Sequence, residues 1–473
     1  MSKTKRRMIQ VGLLSVVALL SANNIFASEG SGEQAAQAGH GSEVAITFLW
    51  IAVVLIFAKL SALIEKIGQP SVLGELIIGV ILGNLVLLGI DLFEPIKHDS
   101  IIAFLSELGV VILLFQIGLE SNIKDMKKVG LPSFLVAVIG VIAPFVLGTY
   151  LVGPWLLPGL SQNAYLFLGA AMTATSVGIT GRVFKDLGKL HLKEARIVLG
   201  AAVIDDVLGL IILAVVSAIV TVGAVSAGII GMIVAKAVLF LVGSIVIGQL
   251  VAPTLGKMFP RIQTGVGMKF TLAIAFCLVF AYFAQSFGLA AIIGAFAAGL
   301  VLDPVHFRYF KDPKVIRDVK NVVKGVNGDM REQMNKVIES HSHRHIEDII
   351  EPVAFLLVPI FFVVTGMSVN LSTLNNLPIL GVALAISVAA VIGKYVAGLA
   401  AGKVDKHLVG FGMVPRGEVG LIFASIGKGL GVVSDEVFSV IVVMVIITTL
   451  MTPPILTALL KRKDKVPAAQ AAV

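Results

Sequence analysis

Apolar residues do not alternate with polar ones along this chain. They come in long blocks, and the charges collect in the short intervals between the blocks. Crossing the hydrocarbon core of a bilayer as a helix takes about 20 mainly apolar residues. After residue 42 the sequence holds thirteen such blocks, at 43–64, 71–90, 101–119, 131–153, 163–184, 196–221, 226–252, 267–287, 289–303, 351–369, 377–401, 407–430 and 436–460. The intervals test the count. One set carries Lys66; Lys124, Lys127 and Lys128; Arg182, Lys185, Lys189, Lys193 and Arg196; Lys257 and Arg261; the stretch 304–350; Lys403 and Lys406; and Lys461, Arg462, Lys463 and Lys465. The other set includes 154–162, 222–225 and 370–376, which hold no Lys or Arg. Cytoplasmic loops carry the excess of basic residues. The pattern therefore predicts an odd number of spans, the first running inward, with the C-terminus in the cytoplasm.

Composition excludes a soluble fold. Apolar residues make up 57% of the chain and charged ones 14%, against about 25% charged in a soluble domain. The net charge of +8 sits in the loops, so topology accounts for it and nucleic acid is not implied. A single cysteine, Cys277, excludes disulfides and paired-thiolate chemistry. Residues 1–27 read as a signal peptide: Lys3, Lys5, Arg6 and Arg7 precede the apolar stretch Val11–Leu20, and small residues lead to Ala27. An uncleaved extra helix is the alternative. Residues 28–42 read as a disordered periplasmic tail, 43–303 as a first transmembrane region, 304–350 as a charged cytoplasmic loop, 351–460 as a second transmembrane region and 461–473 as a cytoplasmic tail. The loop contains His341, His343 and His345. Alternate histidines suit a divalent metal or titration near neutrality; a solvated charged segment is the plainer reading.

The third block ends Phe115-Gln-Ile-Gly118-Leu-Glu-Ser-Asn122 and the tenth ends Val363-Val-Thr-Gly366-Met-Ser-Val-Asn370. The blocks that follow open with Leu131-Pro132 and Leu377-Pro378. The third runs inward and the tenth outward, so the copies are inverted, as in secondary transporters.

A charge at mid-membrane costs about 2.5–3.5 kcal/mol on insertion scales and is retained for a purpose. Asp205 and Asp206 lie near the middle of the sixth block. Helical neighbours project about 100° apart, so one carboxylate can face a partner and the other a cavity. Lys394 lies inside the eleventh block; it either snorkels to the cytoplasm or pairs with a membrane carboxylate. Two blocks carry helix breakers beside polar groups: Thr173-Ala-Thr175-Ser176-Val-Gly178-Ile-Thr180-Gly181, and Gly410-Phe-Gly412-Met-Val-Pro415-Arg416-Gly417-Glu418. Breaks at matching places in two halves point to an ion site, where unwound carbonyls and hydroxyls replace water around a hard cation. Ordinary kinked packing is the alternative. Arg416 and Glu418 are expected to pair locally. Glu75 is a candidate for an access funnel, or a carboxylate solvated at a helix end.

The motifs Thr173-Ala-Thr-Ser-Val-Gly, Val203-Ile-Asp205-Asp206, Gly393-Lys394 and Met413-Val-Pro-Arg-Gly-Glu418 together resemble those of the bacterial monovalent cation:proton antiporters, a family that includes sodium/proton antiporters and glutathione-gated potassium efflux systems. The resemblance runs from about residue 43 to 460. It implies an all-α polytopic membrane protein of thirteen transmembrane helices. These form inverted repeats with two discontinuous crossing helices, a panel domain for homodimerisation and a moving core domain. It implies that Asp206 binds the ion and that Asp205 is salt-bridged to Lys394. Thr175 and Ser176 join the ion site, with Thr173, Arg416, Glu418 and Glu75 in support. The expected activity is electrogenic exchange of Na+, or alternatively K+ or Li+, for protons across the bacterial inner membrane, with no enzyme chemistry and no cofactor. A passive cation channel is the alternative of a different class. An intramembrane aspartyl protease needs its carboxylates on two facing helices, whereas these two are adjacent on one. The cytoplasmic nucleotide-binding domain of the potassium efflux members does not occur in this sequence, and the 304–350 stretch is longer than the family pattern implies.

Overall fold

A computed structural model describes residues 35–67, 69–120, 130–222, 227–302, 310, 323, 345–374 and 377–465, and among them every regular element is helical. In chain order the principal helices are α1 (Ala35–Ser61), α2 (Ser71–Gly83), α3 (Ser100–Glu120), α4 (Leu131–Val146), α5 (Gln162–Ala171), α6 (Val177–Asp186), α7 (Lys193–Val222) and α8 (Ala227–Met258). They continue with α9 (Val266–Ser286), α10 (Ala291–Val301), α11 (His345–Met367), α12 (Leu377–Tyr395), α13 (Lys406–Gly412), α14 (Glu418–Gly429) and α15 (Asp435–Lys465). Among the described residues, nine helices are long and apolar enough to cross a membrane. Two shorter apolar helices, α2 and α10, accompany them. The signal region, Asn122, His341 and His343 lie outside the described residues, as does the side chain of His345.

Several expected blocks change shape. The second ends as a helix at Gly83, because Asn84 turns its side chain to other partners: its amide donates to Val80 O and Val369 O, and its oxygen accepts from Leu371 N. The fifth block divides into α5 and α6 and the twelfth into α13 and α14. The tenth starts early, at His345, so part of the expected loop is helix. Phe310, Ile346 and Ile350 are buried with α9 and α10 in one apolar cluster.

Two helix groups pack against each other. α1, α2, α3, α8, α9, α10 and α11 form one; α4 to α7 and α12 to α15 form the other. Glycines set the closest approaches and expose the internal repeat. A Cβ on Gly118 of α3 would lie 2.3 Å from Phe296 O of α10, beside Gly299; one on Gly366 of α11 would lie 2.3 Å from Leu76 O of α2, beside Gly79. Gly74 meets Ser61 O at the end of α1, and Gly294 meets Phe280 O of α9. Thus α1–α2–α3 and α9–α10–α11 repeat one arrangement, with Leu73-Gly-Glu75-Leu-Ile-Ile-Gly79 matching Ile293-Gly-Ala295-Phe-Ala-Ala-Gly299. Small residues allow such backbone contact where lipid supplies little hydrophobic drive for helix association.

Candidate functional site

The two helix breaks lie against each other in the second group. Ser176 N donates to Pro415 O at 2.8 Å, Thr175 Oγ1 to Met413 O at 3.1 Å, and Thr180 Oγ1 to Gly412 O at 2.7 Å. Thr175 and Ser176 end the gap between α5 and α6, and Met413 to Gly417 form the gap between α13 and α14. A broken helix leaves orphan amides and carbonyls that lipid cannot satisfy, and here each gap supplies the other. Further relief comes from the last long helix of each half. Thr175 N donates to Asp205 Oδ2 of α7 at 3.0 Å, and Arg416 N donates to Thr448 Oγ1 of α15 at 3.3 Å. Thr449 Oγ1 also donates to Arg416 O at 2.5 Å. Asp205 and Thr448 thus play matching parts in the two halves.

The charges are sorted by the same framework. Lys394 Nζ on α12 donates to Asp205 Oδ1 at 2.6 Å, with both side chains at most 1% exposed. Gly140 of α4 leaves room for that ammonium: a Cβ there would stand 3.4 Å from Nζ. Asp205 therefore has one oxygen on a lysine and the other on a backbone amide. Asp206 projects elsewhere. It is 7% exposed, no donor among the described residues bonds its carboxylate, and the charges that face it are Asp205, Glu418 and Lys394. Glu418 opens α14, and its Oε2 accepts a long 3.4 Å bond from Ser176 Oγ.

The expected local pairing of Arg416 with Glu418 is not found. The guanidinium is wholly buried and donates instead to the carbonyls of Met413, Val414 and Ala390. Those carbonyls follow the end of α13 or belong to α12, and a cation is the natural group for such a carbonyl-rich helix end. The consequence bears on the ion site. The carbonyls at 412 to 415 are all engaged within the protein, so the second break offers a cation the Glu418 carboxylate, beside which stand the Asp206 carboxylate and the hydroxyls of Ser176 and Thr175. Thr173 turns its hydroxyl back to Ala170 O at 2.7 Å, which caps α5.

A cavity of 180 Å³ separates this site from the first helix group, with Ser176, Gly417 and Glu418 on one wall and Leu73, Leu76 and Phe362 on the other. Two larger cavities open toward opposite ends of the molecule. One, of 390 Å³, lies at the start of α2 and α11 and includes Glu75; the other, of 440 Å³, lies at the start of α3 and the end of α14. The structure thus brings Asp205, Thr175, Lys394 and Arg416 into one network and sets Ser176 and Glu418 beside a cavity, with Asp206 facing Glu418, while Glu75 stands apart on α2. Thr448, Thr449 and Gly140 had escaped notice in the sequence, and Thr180 entered only as part of the first break. The run Thr448-Thr449-Leu-Met-Thr452 before Pro453-Pro454, polar inside an apolar block, was the available signal.

The family model for the transmembrane sodium/hydrogen exchanger matches residues 51–327 and 333–462. The high-affinity Na+/H+ antiporter NhaS3 of Synechocystis is 35% identical over 85% of this chain and 87% of its own length. The Na+/H+-K+ antiporter GerN of Bacillus cereus is 33% identical over 88% of this chain and 97% of its own. The solved sodium proton antiporter MjNhaP1 of Methanocaldococcus jannaschii shares the fold, with a TM-score of 0.59 at 17% identity over 89% of this chain and 97% of that one. Crossed helix breaks, a buried lysine–aspartate pair and a match along almost the whole transmembrane region agree: the chain belongs to the sodium/hydrogen exchanger family.

Proposed function

We propose that this protein exchanges a monovalent cation, Na+ first, for protons across the bacterial inner membrane, as a secondary antiporter without enzyme chemistry or cofactor. The observation that carries the reading is the unequal treatment of the two adjacent carboxylates. Asp205 is committed to Lys394 and Thr175 N, whereas Asp206 has no donor among the described residues and faces Glu418, which accepts from Ser176. A carboxylate kept free of internal partners binds either a proton or a cation, and that exclusivity is what couples the two flows. With Asp206 deprotonated, its oxygens, Glu418 and the hydroxyls of Ser176 and Thr175 replace part of the cation's hydration shell. With Asp206 protonated, the cation is released. Movement of the α4–α7/α12–α15 group against the other carries the loaded site between the two end cavities, the alternating access common to inverted-repeat transporters.

The basic-residue pattern supports a cytoplasmic C-terminus and, with it, a cytoplasmic position for the Glu75 cavity. The first helix group suits a homodimer interface. The name of GerN favours a second substrate, K+, and competition between Na+, K+ and Li+ separates the readings. The deciding experiment is cation-driven proton movement in proteoliposomes of the full chain. Wild-type protein should move protons against Na+, and folded Asp206→Asn protein should move none. Normal exchange by Asp206→Asn sinks the assignment. Cation flux without proton counterflow would mark a passive channel instead.

A further inference from the structure

The 390 Å³ cavity at the start of α2 is built on the same plan as the 440 Å³ cavity at the other end. Under the repeat that matches Gly74 to Gly294 and Gly118 to Gly366, its lining position Ser71 corresponds to Ala291, Val72 to Ile292 and Val358 to Val110, and each of these pairs lines the two cavities in turn. The backbone scaffold is thus shared, and the charges are not. Glu75 corresponds to Ala295 and Glu351 to Ala103, and α9 carries no carboxylate to answer Glu65; among the carboxylates of the other cavity only Glu107, in the place of Phe355, runs in the reverse sense. Packing does not require these carboxylates, since the twin half makes the same close glycine contacts with an alanine in place of Glu75.

Glu75 itself is 6% exposed, lines the cavity, and has no hydrogen bond or ion pair among the described residues. The nearby ammonium of Lys59 is held 5.2 Å over the Phe355 ring. Glu65 and Glu351 are exposed at the mouth, and Gln116 adds an amide to the wall. A buried carboxylate without an internal partner carries a large desolvation cost unless something compensates it. The cavity also adjoins the one beside the ion site: Val72, one helical turn before Glu75, lines both.

We propose that Glu75 and its cavity form a second monovalent-cation site, a holding station in series with Asp206, in which Glu65 and Glu351 draw the cation in and Glu75 with Gln116 holds it still partly hydrated. This inference rests on the exchange reading for what lies beyond the station, but its test does not. Bound 22Na+ is measured on purified full-length Asp206→Asn protein. Saturable, low-affinity binding should remain, be lost in Asp206→Asn/Glu75→Gln, and return in Asp206→Asn/Glu75→Asp. In transport, Glu75→Gln should raise the apparent KM for Na+ about tenfold, or about 1.4 kcal/mol, when Na+ is offered from the Glu75 end. No binding to Asp206→Asn, binding indifferent to Glu75→Gln, or displacement by Mg2+ or Ca2+ well below the Na+ concentration would each overturn the proposal. Should Glu75→Gln not fold, Glu75→Ala, the residue of the twin half, replaces it with the same expectations. Wild-type vesicles that bind Na+ yet move no protons would refute the exchange reading and leave this one standing.

Discussion

Removing the Lys394 side chain leaves the Asp205 carboxylate 1% exposed and short of its strongest donor. Breaking a buried pair by removing one partner costs about 3–5 kcal/mol, far more than removing both. Lys394→Ala should therefore lower the melting temperature sharply, and adding Asp205→Asn should recover part of the loss, because an amide keeps an acceptor for Thr175 N. Additive losses in the double variant would show that the two side chains are energetically independent. Asp206 sits under the opposite constraint. It faces two further carboxylates and accepts no hydrogen bond among the described residues. Asp206→Asn removes that repulsion, so this variant should unfold at or above the wild-type temperature in Na+-free detergent solution while losing transport. A marked fall in its melting temperature would mean that Asp206 supports the fold.

At the scale of helices, the backbone contacts at glycine and the clamp on the second break carry the architecture. On α11, Gly366→Ala drives a methyl to 2.3 Å from Leu76 O, a clash with main chain that no side-chain rotation relieves. Overpacking of this kind costs about 1–3 kcal/mol or more. Gly243→Ala on α8 meets nothing within 4 Å and should instead gain about 0.5–1 kcal/mol from backbone entropy. Melting curves of the two alanine variants should move in opposite directions; a parallel shift would count against the repeat contacts. Thr449→Val keeps the shape of the side chain and deletes its bond to Arg416 O. It should cost about 1–2 kcal/mol and slow transport as well, because Arg416 and the break beside Glu418 lose their anchor. Full activity in that variant would show that α15 merely packs here.

For the molecule as a whole, two cavities at opposite ends with the site between them require that each be reached from its own side of the membrane. Cysteines placed at Ala62 and at Ser425, in a Cys277→Ala background, report this directly. A membrane-impermeant maleimide should label the first from the cytoplasmic face and the second from the periplasmic face. Labelling of both from one face would reject the placement. Cys277 is wholly buried in α9, so its replacement by a slightly smaller residue should be tolerated.

The apolar blocks alone determined where helices run, because hydrocarbon leaves a long apolar segment little choice but to satisfy its own backbone. Local chemistry also marked the breaks near Thr173 to Gly181 and Gly410 to Gly420, since Pro and Gly act on the residues around them. Adjacent Asp205 and Asp206 had to point apart for the same local reason. Which of them meets Lys394 was not decided by spacing; only the family resemblance suggested it, and it depends on how α12 crosses α4 and α7, contacts between residues 189 apart in sequence. Arg416 was misjudged for a related reason. Proximity in sequence suggested Glu418, but carbonyls of Met413, Val414 and Ala390 surround the guanidinium once the chain folds. The twin cavities and their unequal charge belong wholly to the tertiary structure. A residue's membership of a cavity depends on helices far away in sequence, and Glu75 and Ala295 become counterparts only when their glycine neighbours are seen making the same contacts.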